Sequence, residues 1–147
     1  MSRDLQLRVQ RVRDDVALPR RAHPDDAGLD LAAADTVVLG GGQRLAVGTG
    51  LVVAIPPGWV GLVHPRSGLA LRRGVTVVNA PGTIDAGYRG EVKVALVNLS
   101  RRDVLIEAGE RIAQLLVQEV ALWEVEEVHD LTADDTHRGT GGFGSTG

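Results

Sequence analysis

The chain has 147 residues, 44% of them hydrophobic and 24% charged, with a formal net charge of −3; this is the size and balance of one domain that buries a core without covalent staples. The absence of cysteine excludes disulfide frameworks, thiolate metal sites and cysteine nucleophiles. No apolar run approaches the ~20 residues of a membrane span, Met1–Asp15 is rich in charge where a signal peptide is apolar, and the mild acidity argues against general nucleic-acid binding; the expectation is a cytoplasmic protein with no membrane and no nucleic-acid partner.

In chain order, the first polar cluster is Asp25-Asp26-Ala27-Gly28-Leu29-Asp30-Leu31. Asp30 lies between two leucines, so it either points inward or belongs to an Asx turn or a solvated edge. Short Val/Leu/Ile runs follow at Thr36–Leu39, Leu51–Ile55 and Val60–His64, separated by Gly40-Gly41-Gly42 and Pro56-Pro57-Gly58. Their lengths and turn signals predict strands. His64-Pro65-Arg66-Ser67-Gly68-Leu69-Ala70 then opens a short helix over Ser67–Arg73, with Gly74 as its C-cap. There Ser67 is either a simple N-cap or, with Arg66 and the first N–H groups, part of an anion site.

Val75–Asn79 predicts another strand, and Asn79–Gly90 a Gly- and Pro-rich hairpin. Asp85, beside Ile84, is either a solvated turn residue or a general base. Glu91–Asn98 alternates and predicts a strand with one buried face. Val104–Ile106 predicts a strand, and Glu107–Leu115 forms a fourth polar cluster. Arg111–Val128 fits helical spacing at Ile112, Leu115, Leu116 and Glu119, but its valines favour a strand. Thr132–Gly147 holds five glycines and no aliphatic residue beyond Ala133, so it cannot order by burial. It is either a frayed end or an arm, and Phe143, the protein's single phenylalanine, favours an arm that closes over something. The pattern predicts an all-β sandwich or barrel. With only four aromatic residues, Trp59, Tyr88, Trp123 and Phe143, the core must be aliphatic. The basic residues are arginines except Lys93.

No P-loop, dinucleotide fingerprint, zinc-protease motif or nucleophile elbow is present. His23, His64, His129 and His137 lack ligand spacing, which argues against a tightly held transition metal.

Taken together, Arg66-Ser67-Gly68-Leu69-Ala70, Gly82-Thr83-Ile84-Asp85-Ala86-Gly87-Tyr88-Arg89-Gly90, Gly109-Glu110-Arg111-Ile112-Ala113-Gln114-Leu115 and Arg138-Gly139-Thr140-Gly141-Gly142-Phe143-Gly144-Ser145-Thr146-Gly147 resemble, in order and spacing, motifs of the trimeric dUTPase family, with the Asp30 cluster as the first of five. The resemblance spans about residues 22 to 147. It implies a jelly-roll-like distorted β-barrel over residues 1–131, with one short helix after Arg66-Ser67-Gly68, and a flexible arm over 132–147. It implies a homotrimer with active sites shared between subunits.

The implied reaction is hydrolysis of dUTP to dUMP and pyrophosphate, which limits uracil in DNA and supplies dUMP for dTMP synthesis. By resemblance Asp85 orients and deprotonates the water that attacks the α-phosphorus. Asn79, Thr83 and Ile84 receive uracil, and Tyr88 lies against the deoxyribose. Arg66, Ser67, Gly68 and Gln114 bind phosphates, and Lys93 matches a substrate-binding position. Arg138, Gly141, Gly142, Ser145 and Thr146 grip the far phosphates while Phe143 stacks on the base. Mg2+ is the implied cofactor, with Asp30 holding one of its waters. The homologous dCTP deaminases place a glutamate where this chain has Ala95, and a phenylalanine where it has Tyr88, so deamination is not expected. A non-catalytic nucleotide-binding module is the other alternative, and the presence of Asp85 and of the tail speaks against it.

Overall fold

The computed structural model describes residues 5–132 and 136–147. The first four residues of the expected barrel domain and residues 133–135 of the expected arm lie outside the described residues. Eleven strands and one helix are formed: β1 (Arg8–Arg11), β2 (Leu29–Ala32), β3 (Val37–Leu39), β4 (Arg44–Gly48), β5 (Leu51–Ala54), β6 (Trp59–His64), α1 (Ser67–Arg73), β7 (Val75–Val77), β8 (Gly82–Ile84), β9 (Lys93–Asn98), β10 (Val104–Ile106) and β11 (Arg111–Glu119) among the described residues. Every strand pair is antiparallel. The largest sheet runs β2-β11-β6-β8, the next β4-β9-β7, and β1-β5 and β10-β3 pair separately. Together they make a jelly-roll-like, distorted β-barrel with one short helix, as the sequence predicts.

The interior is aliphatic. Leu31, Leu39, Leu51, Ile55, Leu96, Ile106, Ile112 and Leu115 are all buried to within 1%. At ~1.5–3 kcal/mol per buried side chain, such residues carry the fold without aromatic rings. Trp59 is only partly buried against this core. The buried Asn98 has its polar atoms satisfied: Nδ2 donates to Leu39 O and Arg102 O, and Oδ1 accepts from Ser100 N and Oγ. It ties the end of β9 to the loop before β10.

Helix α1 matches its predicted range. Gly74 takes a left-handed conformation at φ 69°, and its N–H reaches back to Ala70 O and Leu69 O. The N-cap is Arg66 with no side-chain bond, so Ser67 is the first helical residue rather than the cap. The segment Arg111–Val128 divides. Its first nine residues are β11, and beyond Val120, whose N–H donates to Gly58 O, residues 121–128 form no strand. The expected strand from Glu91 starts at Lys93. Strands β1, β2, β4 and β8 had no strand prediction of their own.

No described helix is long and apolar enough to cross a membrane.

Candidate active site

Two clefts hold most of the candidate residues, and their linings share none. The first, about 200 Å³, lies between the hairpin and β9, and is lined by Asn79, Thr83, Ile84, Asp85, Tyr88 and Lys93 among others. Strand β8 pairs with β6 through Gly61↔Ile84 and Val63↔Gly82. That anchors the hairpin: Ile84 is buried while Thr83 and Asp85 face out. A tight turn then carries Asp85 to the rim, with Tyr88 N donating to Asp85 O at 3.0 Å. Arg89 locks the tip by donating to Ala86 O and Tyr88 O. Asp85 is therefore an exposed carboxylate at the mouth of a cleft whose walls are Val63, Val77, Val92 and Val94. Such a cleft takes a flat heterocycle, with backbone edges and the Asn79 amide available to hydrogen-bond it.

The second cleft, about 320 Å³, is lined by Asp26, Asp30, Arg66, Ser67, Arg111 and Gln114 with Gly28 and Gly68. A β-bulge builds it. Arg111 pairs with Ala32 but Ala113 pairs with Leu31, so Ile112 is the extra residue. Without the bulge, residues three apart would face opposite sides of the strand. With it, Arg111 and Gln114 face the same cleft while Ile112, Ala113 and Leu115 are buried. Gln114 donates to Pro65 O at 3.0 Å, and it lies over Gly28, where a Cβ would come within 2.3 Å of its Oε1. Asp30 faces this cleft rather than the core, correcting the inward reading. Its neighbours in β2 explain why: Leu31 is fully buried, and the intervening side chain alternates outward. Its Oδ1 lies 3.5 Å from Arg66 Nε and its Oδ2 3.2 Å from Arg111 Nη1.

The Gly109–Leu115 motif gives Arg111 no role in the sequence, yet the residue lines this cleft. Its signal is the opposite charge on Asp30, which only the register of β2 on β11 brings together. Two guanidinium groups, with one carboxylate between them, make a cleft suited to a polyanion.

The tail residues stand apart from both clefts. Within 136–147 the hydrogen bonds are internal: Gly141 N to Arg138 O, Arg138 Nε to Gly141 O and Ser145 N to Gly142 O. Phe143 is fully exposed at φ 49°. None of Arg138, Gly141, Gly142, Ser145 and Thr146 lines either of these two clefts.

A heterocycle-sized cleft and a guanidinium-lined cleft on an antiparallel barrel define a nucleotide-binding β protein. The comparisons narrow this. A dUTPase family model matches residues 14–147. The chain is 57% identical over 146 residues to the deoxyuridine 5'-triphosphate nucleotidohydrolase of Corynebacterium jeikeium, covering 98% of this chain and 94% of that one. It is 54% identical to the enzyme of the same name from Rhodococcus erythropolis, covering 100% and 89%. Among solved structures, a Staphylococcus bacteriophage 80alpha dUTPase variant with dUpNHpp superposes with a TM-score of 0.88 at 30% identity, covering 97% of this chain and 98% of that one. A dUTPase variant from phage phi11 of S. aureus, described with a structural Mg(II) ion, superposes with a TM-score of 0.80 at 26% identity, covering 86% and 99%. The chain belongs to the dUTPase family, and it is a hydrolase that converts dUTP to dUMP and pyrophosphate.

Proposed function

We propose that this hydrolysis proceeds by attack of water on the α-phosphorus, with Asp85 as the base. The observation that carries it is the exposed Asp85 carboxylate at the rim of the base-sized cleft. Asp85 takes a proton from the water as its oxygen bonds to the α-phosphorus. The bond from that phosphorus to the α,β-bridging oxygen breaks, and pyrophosphate leaves. Asn79, Thr83 and Ile84 receive uracil, and Tyr88 stands against the sugar and leaves no room for a 2′-hydroxyl. Lys93 supports the substrate from β9. Arg66, Ser67, Gly68 and Gln114 hold the phosphates in the second cleft.

The residues fit Mg2+ only as an ion that arrives with the triphosphate. Among the described residues no group of three His, Asp or Glu could cage a metal. Asp30 has each oxygen facing a guanidinium, which leaves it able to accept from a metal-bound water rather than to anchor the ion. When bound, the ion offsets charge on the phosphate oxygens.

We further infer a homotrimer with shared sites. Its support is that the base cleft and the phosphate cleft have no lining residue in common. An apolar groove of about 530 Å³, lined by Leu5, Leu7, Val9, Leu18, Trp59 and Val117, lies open. Trp123, 87% exposed in the unpaired 121–128 segment, offers a neighbour apolar surface. The arm over 132–147 would close on a site of another subunit, Arg138, Gly141, Gly142, Ser145 and Thr146 meeting the far phosphates and Phe143 the base. The setting is the cytoplasm, where nucleotides are made, with neither nucleic acid nor membrane as partner.

Hydrolysis of dUTP in ¹⁸O-water tests the reaction. Attack at the α-phosphorus places the label in dUMP. Label in pyrophosphate instead would overturn the proposed route.

A further inference from the structure

Tyr88 is nearly half exposed, at 47%, and stands outside the hydrophobic core. Packing therefore does not fix its ring, yet two neighbours do. Its hydroxyl donates to Glu91 O at 3.0 Å. The ring end also lies directly over Gly90: a Cβ there would stand 2.4 Å from the hydroxyl oxygen and 2.6 Å from Cζ. Any side chain at position 90 must displace the ring.

The acceptor is itself held in place. Glu91 Oε1 accepts from Gly50 N at 2.9 Å, in the turn between β4 and β5. It lies over Gly48, where a Cβ would come within 2.7 Å of it. One residue further on, the buried Thr49 donates its hydroxyl to Val92 O at 2.6 Å, and Val92 N donates to Leu51 O at 2.8 Å. Glu91 thus links a fixed turn, through its side chain, to the tyrosine hydroxyl, through its carbonyl.

We propose that Gly90 and Glu91 are specificity-determining residues: Gly90 gives the Tyr88 ring its seat and Glu91, as a positioning residue, fixes the hydroxyl, so that together they set discrimination between deoxyribo- and ribonucleoside triphosphates. The inference rests on the reading that Tyr88 excludes a 2′-hydroxyl. A steric wall rejects one extra oxygen only if it does not yield, since a ring free to swing by an ångström admits it. Neither Gly90 nor Glu91 touches the reacting atoms, so their replacement is read in the dUTP-to-UTP ratio and not in dUTP turnover alone.

The test is kcat/KM for dUTP and for UTP in the full-length enzyme, for Gly90→Ala, Glu91→Ala, Glu91→Gln, Tyr88→Phe and Tyr88→Ala, with assembly size and thermal midpoint recorded for each. Gly90→Ala, Glu91→Ala and Tyr88→Phe are expected to lower the dUTP-to-UTP ratio by about tenfold, chiefly through better use of UTP. Glu91→Gln keeps an oxygen for Gly50 N and retains the ratio. The double variant Glu91→Ala/Tyr88→Phe is no worse than either single one, because the two bonds act in series. Should Gly90→Ala fail to fold, Tyr88→Phe decides, since it leaves the backbone untouched. If Tyr88→Ala relaxes the ratio while Glu91→Ala and Tyr88→Phe keep it, the clamp is refuted and the tyrosine reading stands. An equal loss on both substrates for Glu91→Ala would mean general destabilisation and also refutes it. An unchanged ratio in Tyr88→Ala removes the tyrosine reading, and this inference with it.

Discussion

Asp85 and Asp15 are both exposed aspartates, and the difference between them is what each one touches. Asp85 has no cationic partner among the described ion pairs, and a turn presents it at the rim of an apolar cleft. Replacing it by Asn keeps the shape and removes the proposed base. Asp85→Asn should therefore bind a non-hydrolysable dUTP analogue and lose roughly 10²–10⁴ in kcat, measured by pyrophosphate release. Near-normal turnover would take Asp85 out of the mechanism. Asp15, by contrast, accepts two bonds from Arg13, at 2.9 and 2.7 Å, while Arg13 also reaches Asp35. The hydrogen bonds from Arg13 hold the Asp15 carboxyl below the usual carboxylate range and push the guanidinium pKa up. A lowered folded pKa stabilises at pH above the unfolded value, and that contribution fades as pH falls through the folded one. Carboxyl NMR should find Asp15 titrating below an ordinary aspartate, and Arg13→Ala should return it to the usual range. Because the pair is exposed, the fold itself should survive the change.

Elements differ in how far sequence alone reveals them. Helix α1 was legible to the residue, because Gly74 supplies a left-handed stop that few other residues tolerate. Strands such as β6 and β10 were legible from their aliphatic runs. Strand β1, Arg-Val-Gln-Arg, was not, since it is exposed except for Val9 and owes its form to pairing with β5. The place of Arg111 in its cleft was illegible for a related reason: a bulge at Ile112 reverses the alternation, and no local pattern announces it. In the sequence, Phe143 alone favours an arm over a frayed end at the tail. Ordering it costs ~1–2 kcal/mol per fixed backbone residue, and it has no apolar run to offset that. On the proposed reading, ligand contacts offset that cost, and the tail orders on the triphosphate. Deleting residues 137–147 should leave assembly and melting unchanged and cut kcat by roughly 10²-fold, the effect of losing one positioning element. Binding of dUMP should fall less than binding of a non-hydrolysable dUTP analogue. Full activity in the truncated protein would make the tail a frayed end.

At the scale of the whole molecule, the question is whether one chain holds a working site. The two clefts have separate linings, and the hydrogen bonds within residues 136–147 are internal. In the proposed site a triphosphate nucleotide engages all three together. If separate chains supply them, two inactive variants can repair each other. Asp85→Asn damages the base cleft, and Arg66→Ala damages the phosphate cleft. Each alone should be nearly inactive while eluting, by light scattering, at about three times 15.5 kDa. In a composite site, an intact Asp85 from an Arg66→Ala subunit meets an intact Arg66 from an Asp85→Asn subunit. Random assembly of equal amounts restores roughly a quarter of the sites in a closed symmetric ring. Co-expression of the two tagged variants, tandem purification of mixed assemblies and a dUTP assay measure this: mixed trimers alone, freed of the inactive single-variant rings, should hold roughly one working site in three. Sites confined within single chains give no recovery at any mixing ratio, because every chain then carries one lesion in its own site. Recovery proportional to the mixed fraction, and its absence when the separately purified variants are mixed without subunit exchange, would establish that the two clefts meet only across the subunit boundary.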